Sequence, residues 1–342
     1  MGVKIFDILP SKELSWKELQ GKIIAVDTSL FLYQFLASIR QRDGTLLTDS
    51  KGRTTSHLVG LFSRTINWME KGIKPVFIFD GKPPELKIQV QQLRREAKQT
   101  AMKQYETALE QGNIEDMKKF ASRTSKVTPE IVAEAKELVT ALGLPIIQAP
   151  SEAEAQASYM TSQGDAWAVA SQDADVFVFG AERLIRNLSI AGKKKIAGKL
   201  AYTTISPELF IAQDVFNTLG IDREQLIALS ILVGTDYAPM GVKGIGSKTA
   251  LKLVKEYGKD FDALFKKVEW EKQCETPWKE IFDTFKDIPI TKEYTIQFGT
   301  INPTRVKKIL VEEHEFALER VESSLSKLIT TSVSQQGLTK WF

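Results

Sequence analysis

Two aspartates, Asp173 and Asp175, precede an apolar run in residues 171–180, which read SQDADVFVFG. The apolar run is typical of a buried strand, and in an extended chain residues two positions apart point to the same side. Two carboxylates in one small volume repel each other unless a cation lies between them. A plain turn is the alternative interpretation, because aspartate is common in turns.

Three short apolar segments each run into an aspartate. KIIAVD ends at Asp27, KPVFIFD ends at Asp80 and AWAVASQD ends at Asp173. Helical patterns separate them, over residues 56–72 and 128–143. Strands that alternate with helices predict an α/β fold with a mostly parallel central sheet and helices on both faces. Ligands of such sheets bind at the carboxyl ends of the strands, so the three aspartates are expected in one crevice.

Further acidic residues follow in APSEAEAQA and after an apolar helix. Ser151 is a suitable N-cap, which places Glu152 and Glu154 in the first helical turn, where the helix dipole alone can explain acidic residues. On a regular helix the two lie about 200° apart, although side chains at the very tip can converge. Asp236 follows the apolar segment LIALSILVGT and precedes a turn-rich stretch.

Seven carboxylates therefore occupy special positions and form one candidate set: Asp27, Asp80, Glu152, Glu154, Asp173, Asp175 and Asp236. Seven negative charges in one crevice would be strongly destabilising without cations. Two divalent ions bring four positive charges, and a phosphodiester between them suits two-metal hydrolysis. We predict two Mg²⁺ ions, for which Mn²⁺ can substitute. One metal is expected to lie between Asp173 and Asp175.

The composition of the chain limits the kinds of catalytic and metal-binding site that it can form. The chain has 342 residues, with 46 Lys and Arg against 43 Asp and Glu, so its net charge of +3 says nothing by itself about partners. Its only histidines, His57 and His314, are far apart, and its single cysteine is Cys274. A His-based triad or a Cys-based zinc site is therefore disfavoured. Carboxylates must hold any metal, which favours magnesium or manganese.

Residues 81–127 interrupt the alternation of strands and helices with a polar, helical stretch. Lys87, Arg94 and Lys98 follow one another at helical spacing, so one face of this stretch is cationic. Most charge runs are simply solvated faces, but this one begins shortly after Asp80, which favours contact with phosphate.

From residue 205 onward the pattern is helical, and GVKGIGSKTALKLV resembles a helix-hairpin-helix. Gly244 and Gly246 let the backbone approach a phosphate, and Ser247 can cap the next helix, with Lys248 in its first turn. The basic stretch at 192–199 is expected to be an exposed hairpin loop, with DNA contact as the alternative.

Together these motifs resemble the structure-specific 5′ nucleases of the flap endonuclease group, from one end of the chain to the other. The resemblance is carried by VDTSLFLYQFL, FIFDGKPPELK, APSEAEAQA, SQDADVFVFG and VGTDYAPMGVKGIGSKTAL. It implies Mg²⁺-dependent cleavage of DNA with 5′ flaps, with 5′-3′ exonuclease activity, in replication and repair. It also implies a helical arch at 81–127 and a helix-hairpin-helix region that binds DNA.

The resemblance also implies roles for individual residues. One metal would be held by four of the carboxylates: Asp80, Glu152, Glu154 and Asp173. Asp175 and Asp236 would help to hold the second metal, and Asp27 would act through metal-bound water. Lys87 and Arg94 match the basic pair that touches the scissile phosphate. Tyr33 matches the tyrosine on which a terminal base stacks, although it could equally be a core residue, and Gly2 is expected near the active site.

The chain ends in QQGLTKWF, which resembles a sliding-clamp-binding peptide in the spacing of Gln335, Leu338, Trp341 and Phe342. The Ser/Thr-rich stretch before it predicts a flexible tail over 329–342. Residues 1–328 form the predicted nuclease core. It divides into an N-terminal nuclease part (1–80), an arch insertion (81–127), an internal nuclease part (128–204) and a helical DNA-binding region (205–328). Eukaryotic members carry a further basic tail, so the compact archaeal form is the better match.

No apolar run reaches the roughly 18 residues that a bilayer-spanning helix needs, and the first residues lack a signal-peptide layout. We expect a monomer that acts in the cytoplasm, at the nucleoid, without binding membranes. Three alternatives stay open: a four-way-junction or bubble-cleaving nuclease of the same group, a catalytically inactive clamp-bound DNA-binding factor, and a small-molecule phosphohydrolase.

Overall fold

The computed structural model describes residues 3–111, 113–121, 124–190, 192–195 and 202–338. Its nine strands are β1 (Lys12–Glu13), β2 (Ile23–Asp27), β3 (Lys74–Phe79), β4 (Ile146–Gln148), β5 (Ala168–Ala170), β6 (Arg183–Arg186), β7 (Gly192–Lys195), β8 (Tyr202–Ile205) and β9 (Glu208–Ile211). Seven of them form one sheet in the order β1-β9-β6-β5-β2-β3-β4. The other two, β7 and β8, pair in an antiparallel manner, so residues 192–195 of the basic stretch form a strand. Residues 196–199, the rest of the predicted exposed loop, lie outside the described residues.

The central sheet is mostly parallel, which confirms the predicted fold class. β2 pairs in parallel with β3 and with β5, and the pairs β3–β4 and β5–β6 are also parallel. Only the pairings of β9 with β1 and with β6 are antiparallel. Because β2 is the middle one of the five parallel strands, its last residue, Asp27, lies at the centre of their carboxyl edge.

Fourteen α-helices are described: α1 (Thr28–Ser38), α2 (Ser56–Glu70), α3 (Glu85–Glu110), α4 (Ile114–Ala121), α5 (Pro129–Ala141), α6 (Ala153–Ser162), α7 (Asp175–Val178), α8 (Ala212–Leu219), α9 (Arg223–Val233), α10 (Ser247–Tyr257), α11 (Phe261–Lys267), α12 (Trp278–Lys286), α13 (Pro303–Lys307) and α14 (Leu318–Leu338). A 3₁₀ turn (Trp270–Lys272) and a π-helical segment (Lys308–Glu313) complete the helical structure. Thr128 caps α5 through a hydrogen bond from the Ile131 N–H, as the sequence predicts.

Helices cover both faces of the sheet because the side chains of the strands alternate between two apolar cores. Ile24 and Val26 of β2 point into the core that α2 and α5 complete. Ala25, between them, points into the opposite core, which α6 and α9 complete. No helix in the described ranges is both long enough and apolar enough to cross a membrane.

Three local predictions are wrong. The apolar run after Asp173 forms α7 and not a strand, because its residues pack between α6 and α9 with Val176, Phe177 and Val178 all buried. The 205–328 region is not entirely helical, since β9 joins the sheet beside β6. The N-cap of α6 is Glu152, one residue after the predicted Ser151.

The insertion at 81–127 contains α3 and α4, which pack against each other, and we call it the arch. At the other end of the chain, α14 continues through the predicted tail boundary to Leu338. The backbone of residues 329–338 is therefore helical, and the flexible tail over 329–342 stays a prediction. Val321, Leu325 and Leu328 are buried at helical spacing, so tertiary packing starts a helix that no proline interrupts. Residues 339–342 lie outside the described structure.

Candidate active site

An open cleft of about 390 Å³ lies at the carboxyl ends of β2, β3 and β5. Six of the seven predicted carboxylates line it: Asp27, Asp80, Glu152, Glu154, Asp173 and Asp236. Four cations of the arch face them: Lys87, Arg95, Lys98 and Lys126. The cleft therefore has an acidic floor on the sheet and a basic wall on the arch.

The two strand-end aspartates are held by backbone amides of helix starts. Asp27 ends β2 and caps α1, with its Oδ1 accepting a hydrogen bond from the Leu30 N–H at 3.1 Å. Oδ1 of Asp80 accepts a hydrogen bond from the Ala153 N–H, at 2.8 Å, at the start of α6. Positive N-terminal helix ends thus support negative charge at the edge of the sheet.

The acidic pair on α6 converges on the cleft because Glu152 lies outside the regular helix, with extended φ and ψ of −86° and 133°. Glu154 lies in the first turn, and its Oε1 accepts a hydrogen bond from the Ser171 hydroxyl at 2.8 Å. The same hydroxyl oxygen accepts the Asp173 N–H at 3.2 Å. Ser171 therefore links α6 to the loop that carries Asp173.

Asp175, the seventh carboxylate, does not line the cleft; it is the first residue of α7 and is 4% exposed. Its Oδ1 accepts a hydrogen bond from the Val3 N–H at 2.6 Å. Burial, together with the nearby charges of Asp173 and Asp236, raises the pKa of Asp175 to about 7. Gly2, which the resemblance places near the active site, lies outside the described residues, although its neighbour Val3 reaches this carboxylate.

The pKa values of two other buried carboxylates, Asp27 and Glu154, are also raised. Burial and then the charge of Asp80 raise the pKa of Asp27 well above its usual range. Burial and then the charge of Asp173 do the same to the pKa of Glu154. Such a site favours any cation that can reach it, because a cation offsets both desolvation and mutual repulsion.

Lys87 at the base of α3 already supplies one such cation. Its Nζ lies 2.7 Å from Oε1 of Glu152 and 3.2 Å from Oδ2 of Asp236. Burial alone would lower the pKa of Lys87, but these two carboxylates outweigh it and raise the pKa above the usual value. Burial raises the pKa of Glu152, and Lys87 partly opposes that shift.

Across the described residues, no three carboxylate, imidazole or thiol side chains are grouped so that they could enclose a metal ion as they stand. The carboxylates line the cleft, and the ammonium of Lys87 stands between two of them.

The second predicted arch cation, Arg94, lies within α3, but its side chain is outside the described part of the structure. Tyr33 is not a core residue, since it is 40% exposed and lines the cleft. Nζ of Lys98 lies 4.9 Å from the centroid of its ring, within the range of a cation–π interaction. The arch therefore contacts the helix that carries Tyr33.

The helix-hairpin-helix glycines also occupy the predicted places. Gly244 adopts a positive φ of 84°, which favours glycine, and Gly246 precedes α10 as its N-cap. Lys248 is exposed in the first turn. Ser247 does not cap the helix as predicted; its hydroxyl donates to Oδ2 of Asp7 at 2.7 Å instead.

Of the predicted clamp-binding residues, Gln335 and Leu338 belong to α14, with side chains outside the described structure. Trp341 and Phe342 lie outside it entirely.

Sequence reasoning missed several residues of the site. Ser171 and Val3 act through hydrogen bonds that only tertiary structure creates. Arg95 and Lys126 line the cleft, and the clustering of basic residues around the predicted arch is the signal that could have indicated them. Tyr237 follows Asp236 directly, is 3% exposed and has its pKa raised by burial and by Glu152.

Two family models match the chain: the XPG N-terminal domain over residues 1–101 and the XPG I-region over residues 143–236. Flap endonuclease 1 of Pyrococcus horikoshii is 49% identical over 344 residues, which cover 100% of this chain and 98% of that protein. A solved structure of flap endonuclease-1 from Methanococcus jannaschii is 38% identical, with a TM-score of 0.75 over 98% of this chain and 100% of that one. The catalytic core of Rad2, solved in complex with a DNA substrate, is 25% identical, with a TM-score of 0.70 over 96% of this chain and 100% of that one.

Proposed function

This chain belongs to the flap endonuclease family of structure-specific, metal-dependent nucleases, and we propose that its cleft cleaves DNA at the base of 5′ flaps with two Mg²⁺ ions. The observation that carries the proposal is the acidic floor of the cleft facing the basic wall of the arch. Such a cleft suits a phosphodiester, because ions on the floor and cations on the wall can share its negative charge.

The donor set fits hard divalent cations. All the candidate ligands are carboxylates, the pKa values of the buried ones are raised by burial and mutual repulsion, and an ammonium group already stands between two of them. Asp80, Glu152, Glu154 and Asp173 would hold one ion, with Asp175 and Asp236 at the second and Asp27 acting through water. When bound, the ions would supply a nucleophile from water at neutral pH and stabilise the leaving oxygen. Mn²⁺ is expected to substitute for Mg²⁺.

The chain's own residues would position the DNA. Lys87 and Arg94 would contact the scissile phosphate from the arch, and Tyr33 would stack on the terminal base, which its exposed ring permits. The Gly244–Gly246 turn and Lys248 would hold the duplex through its phosphates, since Gly244, Gly246 and Lys248 are exposed at the start of α10. Gly2 is expected close to the reacting strand, which the position of Val3 at Asp175 supports.

Beyond catalysis, we propose that Gln335, Leu338, Trp341 and Phe342 bind a sliding clamp and that the enzyme acts as a monomer at the nucleoid in DNA replication and repair. A lagging-strand role would use both the flap cleavage and a 5′-3′ exonuclease activity. The backbone of α14 can present part of the clamp motif on one helical face.

The test is cleavage of end-labelled flap, nicked and four-way-junction DNA with Mg²⁺, with Mn²⁺ and with EDTA. Flap cleavage with either metal and none with EDTA is expected. Preferential cleavage of the four-way junction would favour junction resolution instead, and binding of every substrate without cleavage would favour an inactive clamp-bound factor.

A second candidate, hydrolysis of a small phosphate ester, is disfavoured by two features. The arch, which contributes the wall of the cleft, and the exposed start of α10 would have no role with a small substrate. Turnover of a chromogenic phosphate monoester at rates comparable with those for DNA would reverse this judgement.

A further inference from the structure

The ion pairs of Lys87 connect the arch to two carboxylates that are proposed metal ligands. Lys87 lies in the first turn of α3, at the base of the arch, whereas Glu152 begins α6 and Asp236 follows α9. One ammonium group, with 19% of the lysine side chain exposed, contacts both carboxylates at 2.7 and 3.2 Å. The base of the arch is therefore held to the floor of the cleft through two groups that the proposed function needs as metal ligands.

Lys87 and a divalent ion would compete for the same two carboxylates, Glu152 and Asp236. A metal at about 2.0–2.1 Å from a carboxylate that also holds the ammonium brings two cations close together, and the two repel each other. In the described structure no three carboxylates, imidazoles or thiols are grouped to enclose a metal while Lys87 stands between Glu152 and Asp236. The ammonium therefore opposes metal binding for as long as it contacts both Glu152 and Asp236.

We propose that Lys87 is an internal counter-ion, which competes with divalent metal for Glu152 and Asp236 and which metal binding releases, together with the base of the arch. This inference rests on the proposed metal site and adds a new role for Lys87 before any DNA is bound. In the metal-free protein Lys87 lowers the repulsion between the carboxylates and fixes the first turn of α3. In the metal-bound protein the same ammonium is free to turn toward a phosphate.

The arrangement couples two events that would otherwise be independent. Because the energy of breaking the Lys87 ion pairs is subtracted from the energy of metal binding, metal binds more weakly than the carboxylates alone would allow. By the same linkage, anything that draws Lys87 away from the floor, such as a phosphate, strengthens metal binding. Metal and DNA are thus expected to bind cooperatively through one side chain.

The experiment measures metal binding in the full chain without DNA, using calcium as the probe and calorimetry as the readout. Lys87→Met is expected to bind Ca²⁺ about tenfold more tightly than the unmodified chain, and Lys87→Gln should behave alike, since both remove the charge. The matched control is Lys98→Met, which also removes a cation of the cleft but one that lies over Tyr33. Equal tightening by Lys98→Met would mean a general electrostatic effect and would overturn the proposal.

Hydrogen exchange supplies a second readout, which does not depend on affinity. In the unmodified chain, saturating Ca²⁺ should increase amide exchange in residues 85–91, because the first turn of α3 loses its ion pairs. In Lys87→Met this exchange should already be fast and should not respond to Ca²⁺.

Unchanged exchange in the unmodified chain with Ca²⁺ bound overturns the release of the arch. If the unmodified chain binds no Ca²⁺ at all, the metal-site proposal itself fails, whereas binding that Lys87→Met leaves unaltered overturns the role of Lys87 alone.

Discussion

The backbone N–H of Val3 donates a hydrogen bond to Oδ1 of Asp175 over 2.6 Å, across 172 residues of sequence. This bond joins a residue near the start of the sequence to a buried carboxylate of the candidate metal site. It lowers the pKa of Asp175, but burial and the neighbouring Asp173 and Asp236 outweigh it, so that this pKa rises to about 7.

Asp175→Asn should stabilise the metal-free protein at alkaline pH. The folded-state pKa of about 7 exceeds the usual value of 3.8, so the folded chain holds a proton more tightly than the unfolded chain. Stability from this group is therefore present in acid and is lost as the pH rises toward and through 7. In EDTA, the Tm of Asp175→Asn minus that of the unmodified chain should increase from pH 5 to pH 8. A constant difference over this range would contradict the raised pKa.

Asp173→Ala should abolish magnesium-dependent cleavage and leave flap DNA binding within a few-fold. The side chain lines the floor of the cleft and adds to the charge that raises the pKa of Glu154, so its removal takes away a proposed ligand and also relieves repulsion. The measurements are single-turnover cleavage and binding in Ca²⁺. Asp262→Ala, which removes a carboxylate that pairs with Lys279 on the surface, is the control and should cleave normally. Near-normal turnover by Asp173→Ala would remove it from the metal site.

Arg94→Ala should slow single-turnover cleavage of a flap by about a hundredfold, or roughly 3 kcal/mol of lost stabilisation at the reacting phosphate. Affinity for the duplex should hardly change, because the helix-hairpin-helix region would hold the duplex. Lys103→Ala, an exposed cation further along the same helix, is the matched control. Equal losses of rate and affinity in Arg94→Ala would make this residue an ordinary phosphate contact.

The only two histidines, His57 and His314, meet at Glu134, with Nε2–carboxylate distances of 2.9 and 3.7 Å. Burial lowers the pKa of His314, although Glu134 and Asp49 oppose the shift. The folded chain therefore takes up a proton less readily than the unfolded chain, and stability from this group falls as the pH drops through about 6.5. His314→Gln should weaken that fall, so its Tm relative to the unmodified chain should rise from pH 7.5 to pH 5. A Tm difference that falls from pH 7.5 to pH 5 would contradict a lowered pKa of His314 in the folded chain.

Trp341→Ala combined with Phe342→Ala should eliminate clamp binding and leave cleavage of free flap DNA intact. Large aromatic side chains commonly carry most of the energy of an interface, at about 2 kcal/mol or more each. Calorimetry with the purified clamp tests binding, and cleavage with and without the clamp tests stimulation. A double variant that still binds would contradict the clamp motif, while lost intrinsic cleavage would make the last residues part of the catalytic fold.

How much of this site the sequence could predict depends on which forces place each residue. Asp27 and Asp80 follow strands, and parallel topology alone brings strand ends together, so their convergence was predictable. The segment after Asp173 was not, because an unbroken apolar run suits a buried helix as well as a buried strand. It forms α7, and Asp175 is consequently positioned by the first turn of that helix, not by a pleat.

Other features depend on tertiary packing, which no local pattern encodes. The hydroxyl of Ser171 reaches Glu154 over 17 positions, and Lys87 reaches Glu152 over 65. Strand β9 looked helical in sequence, yet its pairing with β6 decides its conformation, since strand propensity depends strongly on neighbouring strands.

The strand order has a consequence for how the protein is made. Ile24 of β2 pairs with Ala168 of β5, and Lys12 of β1 pairs with Leu209 of β9, so the first strands must wait for partners far along the chain. Such non-local pairing makes folding slow. At a synthesis rate of about 5–20 residues per second, Asp236 is added only after roughly 10–50 s. For most of its synthesis, therefore, the polypeptide on the ribosome lacks Asp236, one of the seven carboxylates of the proposed metal site.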